Sequence, residues 1–265
     1  MLPAALINTS NGNIYRSHPR ATYGGFVIGS EIGLEDAIEM VELTINYAKQ
    51  LHATEIIVRN PFRIFHQYLT DETDYAMWYH GFSIKYREVE TAVKLESYEI
   101  IWQGYNDSTR RNIKKSKNFL TVALSSDFKA YWSILEDNLI KKHSVKPTHT
   151  YEEFNTLLSN IGEEKVKLFI ALKDGVITAG IVVFIVNPLA LHAQYIASVE
   201  EFQDLRPLNA VIDEIIRWGY NNNYKYLNLG TSNEDSGKRI NAGLFRFKEG
   251  FGGRGTLRET MHLII

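Results

Sequence analysis

Lys248 sits between an aromatic residue, Phe247, and a glycine-rich run, Gly250-Phe251-Gly252-Gly253. Apolar neighbours hold a lysine stem against low-dielectric surface, and glycines let backbone or a ligand come close. Such a cation suits an anionic ligand, or charge that develops on a carbonyl oxygen. A simpler role fits the same residues: a cation at a helix end, with Gly250 as the C-cap. Just upstream, Tyr224-Lys-Tyr-Leu-Asn-Leu-Gly230 reads as a buried strand ending in glycine. Asn228 on that strand offers a side-chain amide to a site, or only terminates the sheet.

Three further groups carry possible chemistry. Arg206-Pro207-Leu208-Asn209 opens a helix with proline at its first position. Proline is pre-set for that place, and the free N–H groups behind it, with the helix dipole and Arg206, can hold a phosphate. Arg110, Arg111, Lys114, Lys115 and Lys117 crowd into one short helix. Charge runs of this kind are ordinarily solvated faces, while arginine forks also favour phosphate oxygens. Tyr195, late in a strand, can give a proton to a leaving group or orient a carbonyl, or simply pack in the sheet. His18, beside Pro19 and a Tyr23-Gly24-Gly25 turn, is a possible base near its ordinary pKa of ~6.5, or a surface loop residue.

Composition narrows the classes. The chain has 265 residues, 45% hydrophobic and 23% charged, which is that of an ordinary globular protein. A net charge of −2 argues against bulk coating of nucleic acid. There is no cysteine, so disulfides, thiolate catalysis and cysteine metal sites are excluded. The eight histidines show no metal-binding spacing. No run approaches the ~18 apolar residues of a membrane span, and the N-terminus lacks the basic start of a signal peptide. A cytoplasmic protein without metal is expected. The lack of a Gly-x-Ser-x-Gly elbow argues against a hydrolase with a covalent intermediate.

The elements that must position these groups can be read from periodicity. Leu34, Ala37, Ile38, Val41, Ile45 and Ala48 recur at helical spacing, predicting a helix from Gly33 to His52, then a strand over Thr54 to Arg59. Phe82 to Leu95 reads as one or two strands. A helix opens at Asn106-Asp-Ser-Thr with Asp107 or Ser108 as N-cap, followed by a strand from Phe119 to Leu124. Phe128 to Leu139 marks another helix, and Thr150 with Glu153 predicts a capping box. Val166 to Val186 forms a hairpin turning at Lys173-Asp-Gly175. A third strand runs from Ala190 to Ala197, then a helix from Pro207 with Leu208, Val211, Ile212, Ile215 and Ile216 inward. Tyr226-Leu-Asn-Leu is a strand, Arg239 to Lys248 a helix, and Thr256 to Ile264 a last strand.

This β-β-β-α-β order, with Lys-Asp-Gly at the hairpin and Ala179-Gly180 beyond it, resembles the GNAT acyltransferase fold. Arg110-Arg-Asn-Ile-Lys-Lys-Ser-Lys, Arg206-Pro-Leu-Asn209, Leu229-Gly230 and Phe247-Lys-Glu-Gly-Phe-Gly-Gly253 resemble its FemABX-like branch. His18-Pro19 and Tyr23-Gly24-Gly25 resemble the N-terminal half of that branch. The resemblance implies an α/β (α+β) protein with a GNAT-like mixed sheet flanked by helices, in two related half-domains. We place them at 1–105, where the first half is open to being incomplete, and 106–265.

It also implies N-acyl transfer to an amine, on a cell-envelope or polysaccharide precursor. Acyl-CoA is put ahead as donor and co-substrate, with an aminoacyl-tRNA-dependent ligase of peptidoglycan precursors as the alternative. Two departures bear on this choice. Val199 to Ala210 contains no glycine, where many acyl-CoA members carry a glycine-rich phosphate loop, and no long coiled-coil arm of the tRNA-using kind is visible. A non-catalytic GNAT-like binding domain is a third reading. Catalytic roles are expected for Lys248, Tyr195 and Asn228, donor binding for Arg206, Leu208 and Asn209, and substrate binding for Tyr23, Gly24, Arg110, Arg111 and Phe247. Lys248 is expected to face the ligand in a cleft between the halves. The partners expected are a small-molecule, glycan or peptide precursor and, for the alternative, tRNA; DNA and stable membrane insertion are not expected.

Overall fold

A computed structural model describes residues 1–143 and 147–265. In chain order the elements are β1 (Ala4–Thr9), β2 (Gly12–Ser17), α1 (Leu34–Gln50), β3 (Ala53–Arg59), α2 (Glu72–Tyr79), β4 (Ser83–Lys94), α3 (Tyr98–Gly104) and α4 (Asp107–Lys117). They continue with β5 (Thr121–Ser125), α5 (Phe128–His143), α6 (Tyr151–Ile161), β6 (Val166–Lys173), β7 (Val176–Asn187), β8 (Ala190–Ser198), a 3-10 helix (Glu200–Leu205) and α7 (Pro207–Asn221). The last are β9 (Tyr226–Thr231), β10 (Asn233–Glu234), β11 (Arg239–Ile240), α8 (Ala242–Glu249) and β12 (Arg254–Ile264). No helix among the described residues is long and apolar enough to cross a membrane.

The chain forms two compact units, and neither is one continuous stretch. One holds Met1–Glu90, Thr231–Asn241 and Thr256–Ile265; the other holds Thr91–Gly230 and Ala242–Gly255. The return of residues 231–241 and 256–265 to the first unit lies outside a simple division at 105/106.

In the first unit the strand order is β1-β2-β3-β12-β4. β1 and β2 form a hairpin, and α1 then crosses over to bring β3 in parallel beside β2. The inward stripe of α1 is Ala37, Val41, Ile45 and Ala48, packed with Ile56, Val58, Met77 and Phe82. The spacing is one face of a 3.6-residue period, so the hydrophobic pattern and the buried face coincide. A buried ion network crosses this sheet. Arg258, 4% exposed, donates to Glu88 from both Nε (3.2 Å) and Nη2 (2.5 Å), lies 3.4 Å from Glu90 and donates to the Thr22 carbonyl at 2.9 Å.

In the second unit the order is β4-β9-β8-β7-β6-β5. The same motif recurs: a β7–β8 hairpin, a crossover through α7, and β9 parallel to β8. Both units therefore contain hairpin, crossover helix, parallel strand and a further short helix, the two related halves expected. One core packs α7, with Val211, Ile212, Ile215 and Ile216, against Phe169, Ile181, Val183 and Leu191. A second core, on the opposite sheet face, packs Tyr131, Trp132, Leu135, Phe154 and Leu158 from α5 and α6 against Leu168, Ile170, Val182 and Tyr195.

Two expected helix starts move. Asn106 is the N-cap of α4, not Asp107 or Ser108, because its side chain accepts from Thr109 N–H at 2.8 Å. The helix expected from Arg239 begins only at Ala242, since Arg239 and Ile240 pair with Glu234 and Asn233 in a small ladder. The Thr150–Glu153 capping box forms as expected, with reciprocal bonds of 2.9 and 3.2 Å.

Gly180 shows why a core strand spends a glycine. A Cβ there would lie 2.6 Å from the Tyr131 ring and 3.2 Å from the Phe169 carbonyl. Tyr131 occupies that space and donates from its hydroxyl to the carbonyls of Gly180 (2.9 Å) and Tyr195 (3.0 Å). Gly180→Ala should destabilise the protein by about 1–3 kcal/mol, the range for overpacking, read from urea unfolding. An unchanged midpoint would show that Tyr131 moves aside freely.

Candidate active site

The second unit brings two of the expected catalytic residues onto the backbone of one residue, Gly230. Gly230, near the end of β9, has φ +78, a left-handed conformation that favours glycine. Its N–H donates to the Asn228 side-chain oxygen at 2.8 Å. Its carbonyl accepts from the Lys248 ammonium, also at 2.8 Å. Asn228 is fully buried and Lys248 is 4% exposed, so both bonds act in a low-dielectric setting. Asn228 does not terminate the sheet, because β9 continues through Thr231.

Lys248 lies in the last turn of α8, and Phe247 beside it packs edge-on against Phe251 at 5.4 Å. The chain then turns tightly. A Cβ on Gly253 would stand 2.8 Å from the Lys248 carbonyl, and Gly252 has φ +74. The left-handed residue after α8 is thus Gly252 and not Gly250, so the simple Gly250 C-cap does not describe this helix end. The glycines fold the chain back while the lysine points to β9.

β8 and β9 open beside Gly230. Their parallel ladder covers only Ala190–His192 against Tyr226–Asn228, although β8 runs on to Ser198 and β9 to Thr231. Strand edges that part in this way present N–H and C=O groups to an extended ligand. The corresponding place in the first unit is filled by its own chain: the Ser17 hydroxyl accepts from Arg59 N–H at 3.0 Å, and Gly24 N–H donates to the Arg59 carbonyl at 3.0 Å. A Cβ on Gly24 would meet His18 Nδ1 at 2.5 Å, so this strap also requires its glycine. Tyr23 packs there on Phe65 and Phe62, and burial raises the pKa of its hydroxyl. Burial lowers the pKa of His18.

Tyr195 points elsewhere. A bulge at Gln194 shifts the register, with Tyr195 opposite Val182 but Ala193 opposite Val183. One inserted residue exchanges the faces of all that follow. Leu191 and Ala193 therefore face α7, and Tyr195 and Ala197 face α5 and α6. The Tyr195 hydroxyl meets His149 Nδ1 at 2.7 Å, and burial, with Glu153 adding, pushes its pKa up to about 12. Sequence periodicity does not disclose the bulge, nor His149 as partner.

The α7 entrance carries the expected donor-binding residues. Arg206 is exposed and adopts a left-handed conformation, φ 60, at the N-cap. Pro207 is the first helical residue, as expected. Leu208 packs on the core, and Asn209 is 4% exposed, its N–H bonded to the Arg206 carbonyl at 3.1 Å. The 3-10 helix before it carries Glu200, Glu201 and Asp204. Next to it lies a 60 Å³ cavity lined by Asp137, Asn138, Ser198, Glu200 and Glu201. Glu200, Glu201 and Asp204 share this entrance with Arg206, with Lys141, which also lines the cavity, and with Lys173, whose ammonium lies 5.8 Å over the Phe202 ring.

On α4, Arg110 is committed to the local fold. Its guanidinium donates to the carbonyls of Trp102 and Gln103 (both 3.2 Å) and Tyr105, and to Asp107 at 2.6 Å. Arg111 is exposed. Lys117 reaches inward to Asp213, fully buried on α7, at 3.2 Å. Asp213 also accepts from the hydroxyls of Tyr98 (3.0 Å) and Tyr105 (3.2 Å). Burial first, and then this carboxylate, raise the pKa of both phenols. This knot fastens α3 and α4 to α7; tyrosines seven residues apart and a lone helix aspartate gave no signal of it. No group of three metal-ligating side chains occurs among the described residues.

No protein-family model and no curated protein matches the sequence. Solved structures do match the fold. FemX superposes with a TM-score of 0.72 at 12% identity, over 99% of this chain and 89% of that one. A C-terminal domain assigned to lysylphosphatidylglycerol synthetase from Agrobacterium fabrum gives 0.66 at 13%, over 98% and 83%. L-PGS from Bacillus licheniformis gives 0.65 at 12%, over 97% and 79%. The chain thus has the FemX-like fold.

Proposed function

We propose that this protein transfers an acyl group from an activated ester or thioester to an amine, at the opening between β8 and β9. The observation that carries the reading is the backbone of Gly230, held by Asn228 at its N–H and by Lys248 at its carbonyl, beside strand edges that leave their ladder. The FemX-like fold supports it. In the reaction a neutral amine attacks the donor carbonyl, and negative charge gathers on the carbonyl oxygen. The C–O or C–S bond then breaks, and the leaving group takes up the proton shed by the amine. Fixed cations and N–H groups stabilise such an oxyanion without reorganising. Lys248 supplies the cation in this proposal, and Asn228 keeps Gly230 in its left-handed conformation. No nucleophilic side chain is needed, which agrees with a chain lacking cysteine.

Two donors fit this chemistry. They are acyl-CoA and the aminoacyl ester of tRNA, and the carboxylates of the 3-10 helix at the α7 entrance oppose the phosphates of both. The acceptor in either case is an amine on a cell-envelope or polysaccharide precursor, as the resemblance implies. The test is a mass-spectrometric assay for amide product, with acetyl-CoA or aminoacyl-tRNA as donor and amine-bearing peptidoglycan precursors as acceptors. Amide from either donor is expected. Ligand binding without amide from any donor would leave the non-catalytic binding domain as the correct reading.

A further inference from the structure

We infer that a cavity of about 460 Å³ in the first unit binds an elongated amine, with an ammonium at one end, a neutral hydrogen-bonding group at the other and an apolar stem between them. This site goes beyond the acyl-transfer reading and does not depend on it. α1 supplies Asp36, Glu39, Met40, Leu43 and Tyr47 to the cavity, and β2 supplies Tyr15. Asp36, Met40, Leu43 and Tyr47 follow one another at i, i+4, i+7 and i+11, a single stripe beside the inward stripe of Ala37, Val41, Ile45 and Ala48. From Asp36 to Tyr47 the stripe covers about 16 Å of helix axis at ~1.5 Å per residue. Its chemistry changes along that length, from carboxylates through a thioether and a leucine to phenols.

Tyr15 is the group that calls for a ligand. It is 8% exposed and packs in the core of the first unit, its ring edge-on to Tyr47 at 6.1 Å. Its hydroxyl has no hydrogen-bond partner among the described residues. Buried phenols ordinarily find one, and leaving such a bond unmade is costly. Tyr15 lines the cavity, so a polar group on a ligand there supplies the missing bond. Burial first, and then Tyr47, raise the pKa of the phenol, so it keeps its proton and can donate.

The other end selects the sign of the charge. Asp36 accepts from the Gly33 N–H at 2.9 Å with one oxygen and keeps the other. Glu39 is exposed and makes no ion pair among the described residues. The Met1 ammonium is the one cation lining the cavity among the described residues. It donates to the Val27 carbonyl (3.1 Å) and to Met40 Sδ (3.7 Å), not to a carboxylate. Two carboxylates against one cation favour an ammonium over an anion. Met40 and Leu43, next along the stripe, take an apolar stem.

The test uses the full chain and three probes: 8-amino-1-octanol, octylamine and 1,8-octanediol, each titrated by two-dimensional NMR. Wild type should bind the amino alcohol more tightly than either of the others, with shifts confined to α1 and β2. Tyr15→Phe keeps the ring and deletes the hydroxyl. It should abolish the preference for amino alcohol over octylamine, a factor of about three to ten for one hydrogen bond. Asp36→Asn/Glu39→Gln should abolish the preference for amino alcohol over diol, about five-fold or more for two exposed carboxylates, and added KCl should shrink it in wild type. Glu39→Gln alone, which leaves the α1 cap untouched, carries this comparison if the double variant misfolds. Equal affinity of wild type for all three probes would show an apolar groove without selection and overturn the site. No shifts with any probe, or shifts that map away from α1, would overturn it as well.

Discussion

Lys248→Met should leave a folded protein and lower amide formation by ~10²-fold or more, the usual cost of removing one group that stabilises a developing oxyanion. Methionine keeps the apolar stem and deletes the charge, so the variant separates chemistry from packing. The Gly230 carbonyl loses its 2.8 Å partner, a loss of about 1–3 kcal/mol for a hydrogen bond to a charged group. Removing a buried ammonium offsets part of that cost. The unfolding midpoint in urea should therefore shift little while turnover collapses. A variant that transfers at the wild-type rate would return Lys248 to a purely structural clamp on β9. One that fails to fold would show the clamp to be indispensable, and Lys248→Arg would then have to supply the kinetic comparison.

Arg258→Met is expected to have the largest effect on stability. Arg258 is 4% exposed, and Glu88 and Glu90 lie against it in the first unit. Its guanidinium also stacks 5.1 Å from the Phe62 ring and satisfies the Thr22 carbonyl. Deleting one partner of a buried ion cluster strands the remaining charges, at a cost of about 3–5 kcal/mol. Glu88 keeps Arg59 at 3.5 Å, whereas Glu90, 1% exposed, loses the ion pair it makes with Arg258. Adding Glu90→Gln to the variant should recover part of the loss, because a buried negative charge that faced the lost guanidinium is removed. Urea unfolding that shows less than about 1 kcal/mol of loss for Arg258→Met would mean that water reaches the cluster and screens it.

Local pattern alone fixed most of the elements. The stripe from Ala37 to Ala48, the Thr150–Glu153 box, the Lys173-Asp-Gly175 turn and the Pro207 start were all legible. Each depends on residues within about one turn or one hairpin. The prediction of Asp107 or Ser108 as N-cap failed for a local reason too: several capping residues stood in a row, and only backbone geometry chose Asn106. The stretch at Arg239 failed for a long-range reason, since pairing with Asn233 and Glu234 took it into a ladder.

For the site, the sequence by itself supplied the residue types: a lysine between an aromatic and glycines, a strand asparagine, and a glycine at the strand end. The tertiary structure alone decided that Asn228 and Lys248 meet on Gly230, because 18 residues separate lysine and carbonyl and no periodicity spans that loop. It alone decided the face of Tyr195, because one bulged residue at Gln194 reverses the sheet's two-residue alternation. The fate of each α4 cation was likewise hidden. Arg110 and Arg111 are neighbours of the same charge, yet one is spent on backbone carbonyls and the other is exposed, since successive helix residues point about 100° apart and only the packed neighbours determine what each direction meets.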